Sequence, residues 1–137
     1  MGSSSSTFSI FIVVLISLTL ASTATATTYR IELSNETPVE FNLECIAEGE
    51  NMPPATLAPS ATATWNNSFS DSDCSVYNYT QTYYGFFHLF NENDYGTQCG
   101  QNGNVCSWHL RPDGNYLLVQ GKVFTIRGWT LHPPPLQ

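Results

Sequence analysis

The four cysteines are the residues of this 137-residue chain whose chemistry the sequence indicates most directly. Four cysteines can pair in three ways, and the surrounding pattern favours one of them. Cys45 and Cys74 each lie on the apolar side of an alternating stretch, which suits a bridge between two strands through a core. Cys99 and Cys106 bracket six residues, a span that closes easily into a loop. We therefore predict the disulfides Cys45–Cys74 and Cys99–Cys106, and with them an extracellular protein.

No other group of residues has the spacing of a known catalytic or metal centre. The carboxylate pairs Asp71/Asp73 and Glu92/Asp94 have the residue types of a glycosidase, but they lie in Ser- and Asn-rich stretches typical of solvated loops. His88 lies in an apolar stretch, as a core or sheet-edge histidine does. The three histidines are scattered, and no two cysteines have the short spacing of zinc ligands. We therefore expect a protein that is not an enzyme and has no metal or other cofactor.

An apolar run near the start of the chain is typical of a secretory signal peptide. The run from Phe8 to Leu20 is shorter than the roughly 20 apolar residues that cross a bilayer. Ala24-Thr25-Ala26 then has the small-x-small pattern of a cleavage site. We expect residues 1–26 to be removed, and residues 27–137 to form one secreted domain that does not insert into a membrane.

Three sequons are typical of the same compartment. Asn35, Asn66 and Asn78 each begin an N-x-[ST] motif, which predicts an extracellular glycoprotein. Strict alternation along the strand that begins at Cys74 carries Asn78 to the same side as Cys74 and Val76. Two alternatives follow for Asn78: a bulge turns it outward, or its sequon is unused.

The charge of the chain excludes two classes of partner. Four basic and eleven acidic residues give a formal net charge of −7. Nucleic acids and anionic membranes are bound through basic patches, so neither is an expected partner. The acidic balance favours a basic surface on a protein partner.

The elements that position these residues have the period-two pattern of strands. The stretch Val39 to Cys45 alternates most clearly, and Pro112-Asp113-Gly114-Asn115 is a strong turn signal. Tyr83 to Phe90 is almost wholly apolar, which indicates a central strand covered on both faces. Seven or eight short strands separated by turns predict an all-β fold, a small antiparallel β-sandwich with two disulfides.

Three predicted loops could carry specificity for a partner: Ala47–Ser60, Asn91–Val105 and Arg111–Asn115. Asn91–Val105 is the strongest candidate, because a disulfide at its far end would hold it in shape. Its candidate contact residues are polar or aromatic: Glu92, Asp94, Tyr95, Gln101, Asn102 and Asn104.

Four segments carry motifs whose order resembles that of one known family. They are Ile31-Glu-Leu-Ser-Asn35, Leu43-Glu-Cys45, the segment Leu57 to Phe69 with Trp65, and Cys106-Ser-Trp108-His-Leu-Arg-Pro-Asp113-Gly114-Asn-Tyr116. The last is close to a C-x-W … D-G-x-Y signature. The chain thereby resembles the plant self-incompatibility protein family, the S-protein homologues.

The resemblance implies a secreted β-sandwich that signals between cells and has no enzymatic activity. Founding members are ligands from the pistil that a pollen receptor recognises, which leads to rejection of self pollen. A cell-surface receptor protein is therefore the expected partner. The alternative is a secreted defence or carbohydrate-binding protein, in which exposed aromatic residues would line the sugar site. The candidates for that site are Tyr77, Tyr79, Tyr83 and Tyr84.

Overall fold

The structure is a computed structural model that describes residues 27–68, 70–80 and 82–130. The predicted signal peptide and the Pro-rich segment 131–137 lie outside the described residues. The described part contains ten strands and one short helix: β1 (Tyr29–Asn35), β2 (Phe41–Ala47), β3 (Glu50–Asn51), β4 (Ala55–Leu57), β5 (Thr62–Asn67), β6 (Ser72–Tyr77), β7 (Tyr84–Phe90), α1 (Gly96–Gly100), β8 (Val105–Arg111), β9 (Gly114–Val119) and β10 (Lys122–Arg127).

The strands form two five-stranded sheets, so the predicted all-β sandwich is confirmed. The first sheet has the order β10-β9-β8-β1-β5, and the second has the order β3-β2-β6-β7 with β4 also paired to β2. All neighbours are antiparallel except β1 and β8, which run parallel. Ten strands exceed the predicted seven or eight because β3 and β4 are very short strands inside the predicted loop Ala47–Ser60.

The core lies between the two sheets and follows the period-two pattern of their strands. Ile31 and Leu33 from β1 and Trp108 from β8 are fully buried on the inner face of the first sheet. Phe41 and Phe87 face them from the second sheet. The Trp108 indole N–H donates a hydrogen bond to the Leu89 carbonyl oxygen at 2.9 Å, which fixes the two sheets to each other.

The two disulfides join the pairs predicted from the sequence. Cys45 and Cys74 lie directly opposite each other on β2 and β6, with their Cα atoms 4.1 Å apart. Cys99 on α1 is bonded to Cys106 on β8, and both are buried. The first bridge therefore joins neighbouring strands within the second sheet, and the second fastens the helix to the first sheet.

The strand from Tyr84 to Phe90 is not a central strand, as its apolar sequence predicted, but an edge strand. β7 pairs only with β6 in the second sheet, and Phe86 on its outer face is 61% exposed. Its inner face is buried by ordinary core packing of Phe87 and Leu89. The prediction was wrong because an aromatic side chain on the solvent side of an edge strand has the same sequence pattern as a buried one.

Two of the three asparagines of the predicted glycosylation sites have buried side chains, and all three sites stay predictions. Asn35 is fully buried and its amide group is occupied by hydrogen bonds to the protein. Asn78 is 7% exposed, its amide N–H donates to Thr80, and its carbonyl oxygen accepts from the backbone N–H of Tyr83. Alternation therefore continues through Asn78, which favours the alternative of an unused sequon. Asn66 is exposed on β5 and remains a prediction.

Candidate functional site

The segment 91–105 is a structured connection rather than a free loop. It contains the helix α1, whose Cys99 is buried against β8. Its first turn is closed by Asn91, whose side-chain oxygen accepts hydrogen bonds from the backbone N–H groups of Asn93 and Asp94. The predicted candidate residues of this segment therefore divide into exposed side chains and side chains that hold the segment in place.

Two of these candidates have side chains that make internal contacts, and their role in partner contact stays a prediction. Tyr95 is buried, its ring packs edge-on against Trp108 at 5.3 Å, and its hydroxyl accepts hydrogen bonds from Arg127. The Asn102 side chain donates to the Val105 carbonyl oxygen and accepts from the backbone N–H of Gln120. Tyr95 and Asn102 therefore anchor the segment to the first sheet. Their polar and aromatic character, from which a surface role was predicted, serves internal hydrogen bonds and packing.

The other four candidates have exposed side chains. Glu92, Asp94, Gln101 and Asn104 are exposed, and they lie at the two ends of the segment on either side of α1. They remain predictions for partner contact. Because the helix between them is fixed to β8 by the Cys99–Cys106 bridge, their backbone positions are held in the folded protein.

A histidine between two carboxylates lies beside this segment. The His88 Nδ1 atom is 2.7 Å from an Asp73 carboxylate oxygen, and its Nε2 atom is 3.3 Å from Asp94 on the other side. Only the Asp73 contact has hydrogen-bond geometry. The Nε2 atom is buried and has no hydrogen-bond partner among the described residues. His88 thus joins one member of each carboxylate pair noted in the sequence. A sequence pattern could not show this, because the three residues come from three separate segments.

A second polar chain lies on the outer face of the first sheet. The Ser107 hydroxyl and the His109 Nε2 atom are 2.9 Å apart, and the His109 Nδ1 atom contacts the Glu36 carboxylate. Arg111 donates to the other Glu36 oxygen at 2.8 Å. The order serine, histidine, carboxylate is that of hydrolase triads. The alternation of β8 places Ser107, His109 and Arg111 on one face, but nothing in the sequence brings Glu36 to them.

The surroundings of Ser107 do not complete a hydrolytic site. Hydrolysis by such a triad needs backbone N–H donors that converge on the developing oxyanion. Ser107 lies within β8, which is bonded to β1 on one side and β9 on the other, so the sheet already uses the neighbouring N–H groups. Within the described residues, the contacts of Glu36 with His109 and Arg111 tie the turn after β1 to strand β8.

The pH dependence of stability provides a test of this tie. Burial alone would raise the pKa of Glu36, but hydrogen bonds from Arg111 and His109, together with their charges, outweigh it and lower that pKa below its usual 4.5. A carboxyl group with a lowered pKa in the folded state stabilises the fold above its unfolded pKa, and the contribution disappears as the pH falls through the folded pKa.

We expect the free energy of unfolding of the wild type to exceed that of Glu36→Gln at pH 6, and the difference to shrink steadily below about pH 4.5. Urea unfolding at a series of pH values measures this difference. Glu92→Gln is the matched control, because Glu92 makes no ion pair with the described residues. A gap between wild type and Glu36→Gln that stays constant from pH 6 to pH 3 would contradict the assignment.

A groove lies on the outer face of the second sheet. Three strands contribute three side chains each, in register: Asn42, Glu44 and Ile46 from β2, Asp73, Ser75 and Tyr77 from β6, and Tyr84, Phe86 and His88 from β7. The groove has a volume of about 400 Å³, with the segment from Asn51 to Pro54 as one wall and Phe86 at the opposite side. We call this the sheet-2 groove.

The sheet-2 groove combines apolar and acidic side chains. Phe86 is 61% exposed and Ile46 is 44% exposed, so both present apolar surface to solvent at the groove. Glu44 lies in the same cross-strand row as Ser75 and Phe86. Burial, the charge of Glu44 and a hydrogen bond to it raise the pKa of Tyr77, so the phenol stays protonated and donates to that carboxylate.

The tyrosines predicted for a sugar site do not lie together. Tyr83 packs against Phe41 and Trp129 at ring distances of 5.9 and 5.1 Å and belongs to the aromatic cluster at one end of the sandwich. Tyr79 is 81% exposed in the turn after β6. Tyr77 and Tyr84 face each other on the outer side of the second sheet, one cross-strand row beyond Ser75 and Phe86, and neither lines the sheet-2 groove.

Comparison with known proteins adds one structural similarity. No protein-family model and no curated protein sequence matches the chain. A solved structure of SPH (self-incompatibility protein homologue) proteins, described as a widespread family of small, highly stable, secreted proteins from plants, has the same fold. The TM-score is 0.56 at 13% sequence identity, and the similarity covers 76% of this chain and 96% of that one. At this identity the similarity establishes a shared fold.

Two further findings concern only the described residues. None of their helical segments has the length and apolar character required to cross a bilayer. No cluster of three or more His, Cys, Asp or Glu side chains has a geometry that would hold a metal ion.

Proposed function

We propose that the chain is a secreted, non-enzymatic plant signalling protein of the self-incompatibility type, which acts by binding a cell-surface receptor protein. In its specific form, the proposal is a role in pollen–pistil recognition and the rejection of self pollen. The observation that carries it is the fold shared with SPH proteins, which are described as secreted and from plants. The sequence motifs around Cys106 and Trp108 are consistent with the same family.

The surface of the domain supports a binding role rather than a catalytic one. A rigid sandwich with two disulfides presents exposed apolar side chains, Phe86 and Ile46, beside carboxylates. Exposed aromatic and aliphatic side chains held on a rigid scaffold are the usual anchors of protein–protein interfaces. The exposed ends of segment 91–105 are the other candidate surface for the partner.

The test is the binding of labelled protein, residues 27–137, to intact plant cells, including pollen. We expect binding that saturates with concentration and that disappears after brief protease treatment of the cell surface, because the receptor is a protein. Binding that rises linearly and survives the protease would contradict the proposal.

A carbohydrate-binding function is the second candidate, because Phe86 lines a groove with acceptor carboxylates and Tyr77 and Tyr84 lie next to it on the same sheet face. Aromatic rings and convergent polar groups can together bind sugar rings. A glycan array separates the two functions. Binding to a defined glycan that Tyr84→Ala abolishes would favour the sugar site, whereas an array without signal leaves the receptor proposal in place.

A further inference from the structure

The distribution of charge over the fold is strongly unequal. All four basic residues lie on strands of the first sheet: Arg30, Arg111, Lys122 and Arg127. The span from residue 40 to residue 94, which supplies the whole second sheet, contains no lysine or arginine. It contains eight of the eleven acidic residues: Glu40, Glu44, Glu48, Glu50, Asp71, Asp73, Glu92 and Asp94. The strands of the second sheet therefore present a negative surface of three carboxylates, Glu44, Glu50 and Asp73, with no lysine or arginine among them, and Asp73 is in contact with His88.

The sheet-2 groove lies within this negative surface. Glu44 and Asp73 are diagonal neighbours across β2 and β6, and Phe86 lies across from Ser75 on β7. Diagonal side chains in a sheet are within reach of one long ligand group. The small side chain of Ser75 forms the floor between the carboxylates on one side and the phenyl ring on the other. The Asn51–Pro54 segment closes the remaining side.

This combination matches one class of ligand group. A guanidinium or ammonium group is attracted to the face of an aromatic ring and forms strong, charge-assisted hydrogen bonds to carboxylates. The aliphatic stem of the same side chain packs on apolar surface such as that of Ile46 and Met52, which also line the groove. An acidic partner would bring like charges against Glu44 and Asp73, and a purely apolar partner would bury them with only their contacts to Tyr77 and His88, at a cost in free energy.

We propose that the sheet-2 groove binds a basic, extended peptide segment of the partner and seats one of its arginine or lysine side chains between Glu44, Asp73 and the ring of Phe86. The inference rests on the proposed function, since it names the chemistry of the receptor surface that the secreted protein contacts. It goes further in placing that contact on the second sheet and not on segment 91–105.

The experiment uses a defined basic peptide, so that it does not depend on identifying the receptor. The probe is a fluorescent peptide of four Arg-Ser repeats, and four Glu-Ser repeats serve as its control. We expect the wild-type protein to bind the basic peptide only, with affinity that falls as salt is added. We expect Glu44→Lys and Phe86→Ala each to weaken it about tenfold or more.

Two matched variants separate the groove from general attraction. Glu32→Lys makes the same change in net charge on the first sheet, and Tyr79→Ala removes another exposed aromatic side chain. Both should bind the peptide within about twofold of wild type. Glu44 and Phe86 are exposed, so their variants should keep the thermal unfolding midpoint of the wild type, and this is measured on the same samples.

The outcomes separate this inference from the proposed function. If the wild type fails to bind the basic peptide, or if Glu32→Lys weakens it as much as Glu44→Lys, the groove is not a specific site and the inference is wrong. If the wild type saturates plant cells while Glu44→Lys and Phe86→Ala bind cells equally well, the receptor proposal stands and the groove assignment falls. Loss of cell binding in Glu92→Lys alone would place the contact on segment 91–105 and would also overturn it.

Discussion

Replacing Cys45 and Cys74 together with alanine is expected to lower the free energy of unfolding by about 3.5 kcal/mol or more. The bridge closes a span of 29 residues in the unfolded chain, and in the chain-entropy account its loss costs about 3.5 kcal/mol at that length. Both cysteines are buried, so the lost sulfur atoms add a cavity. At roughly 4–8 °C per kcal/mol, the unfolding midpoint should fall by about 15–25 °C.

The control for this prediction is the double alanine variant of Cys99 and Cys106. Their bridge spans only seven residues, for which the same account gives about 2.5 kcal/mol. Thermal and urea unfolding of both double variants measures the two losses. The contrary result is that removing the short bridge destabilises the domain more than removing the long one. In that case loop-closure entropy does not determine the stabilisation by each bridge, and the explanation given for the Cys45–Cys74 bridge is wrong.

Replacing Asn35 with aspartate is expected to be nearly as damaging, although the two side chains have the same shape. The Asn35 amide N–H₂ group donates to the carbonyl oxygens of Val39 and Leu57 at 2.7 and 3.0 Å, and its own oxygen accepts from the backbone N–H and the hydroxyl of Thr37. The side chain is fully buried. Aspartate cannot donate, and its oxygen would face two carbonyl oxygens, at a cost of about 2–4 kcal/mol.

The matched control is Asn66→Asp, the same chemical change at an exposed position on β5. It should change the free energy of unfolding by less than about 0.5 kcal/mol. Both variants are best produced in a host that forms disulfides but adds no glycans, so that the loss of a sequon has no effect of its own. An Asn35→Asp protein as stable as Asn66→Asp would show that the network around Asn35 contributes little.

Much of the fold could be predicted because burial has a local signature in sheets. The alternation from Val39 to Cys45 placed Cys45 on the inner face, and the same phase argument paired it with Cys74. The alternation at Asn78 also held, since that side chain is buried. In each case the side chains on the inner face of a strand must be apolar or have their polar groups hydrogen-bonded. A period of two in the sequence therefore indicates directly which side chains point inward.

The position of a strand within its sheet could not be predicted in the same way. Tyr84–Phe90 is apolar on both faces, although its outer face is exposed at the edge of the second sheet. The exposed ring of Phe86 does not contribute to the core of the fold. A large apolar side chain on the surface that folding does not require is a candidate part of a binding surface. The apolar sequence therefore led to an exposed aromatic side chain being assigned to the core.

The clusters formed by distant residues also lay beyond sequence reasoning. His88, Asp73 and Asp94 meet through the pairing of β6 with β7 and the return of the segment after β7. Glu36 reaches His109 only because β1 runs parallel to β8, a pairing between segments more than 70 residues apart. The net charge of −7 was evident from the sequence, whereas only the fold shows that all lysine and arginine residues lie on the first sheet and none on the strands of the second.

The central claim, that this is a secreted ligand for a receptor protein, is tested most directly by displacement of the labelled protein from intact plant cells. Two unlabelled competitors are compared: the folded protein, and the same chain reduced and alkylated, which has the same composition and the same formal net charge apart from its modified cysteines. The account predicts that the folded protein displaces the label completely at a defined concentration and that the unfolded chain does not. Equal displacement by both, or by neither, would contradict it, because a receptor that recognises the surface of this sandwich must distinguish the folded domain from its own unfolded chain.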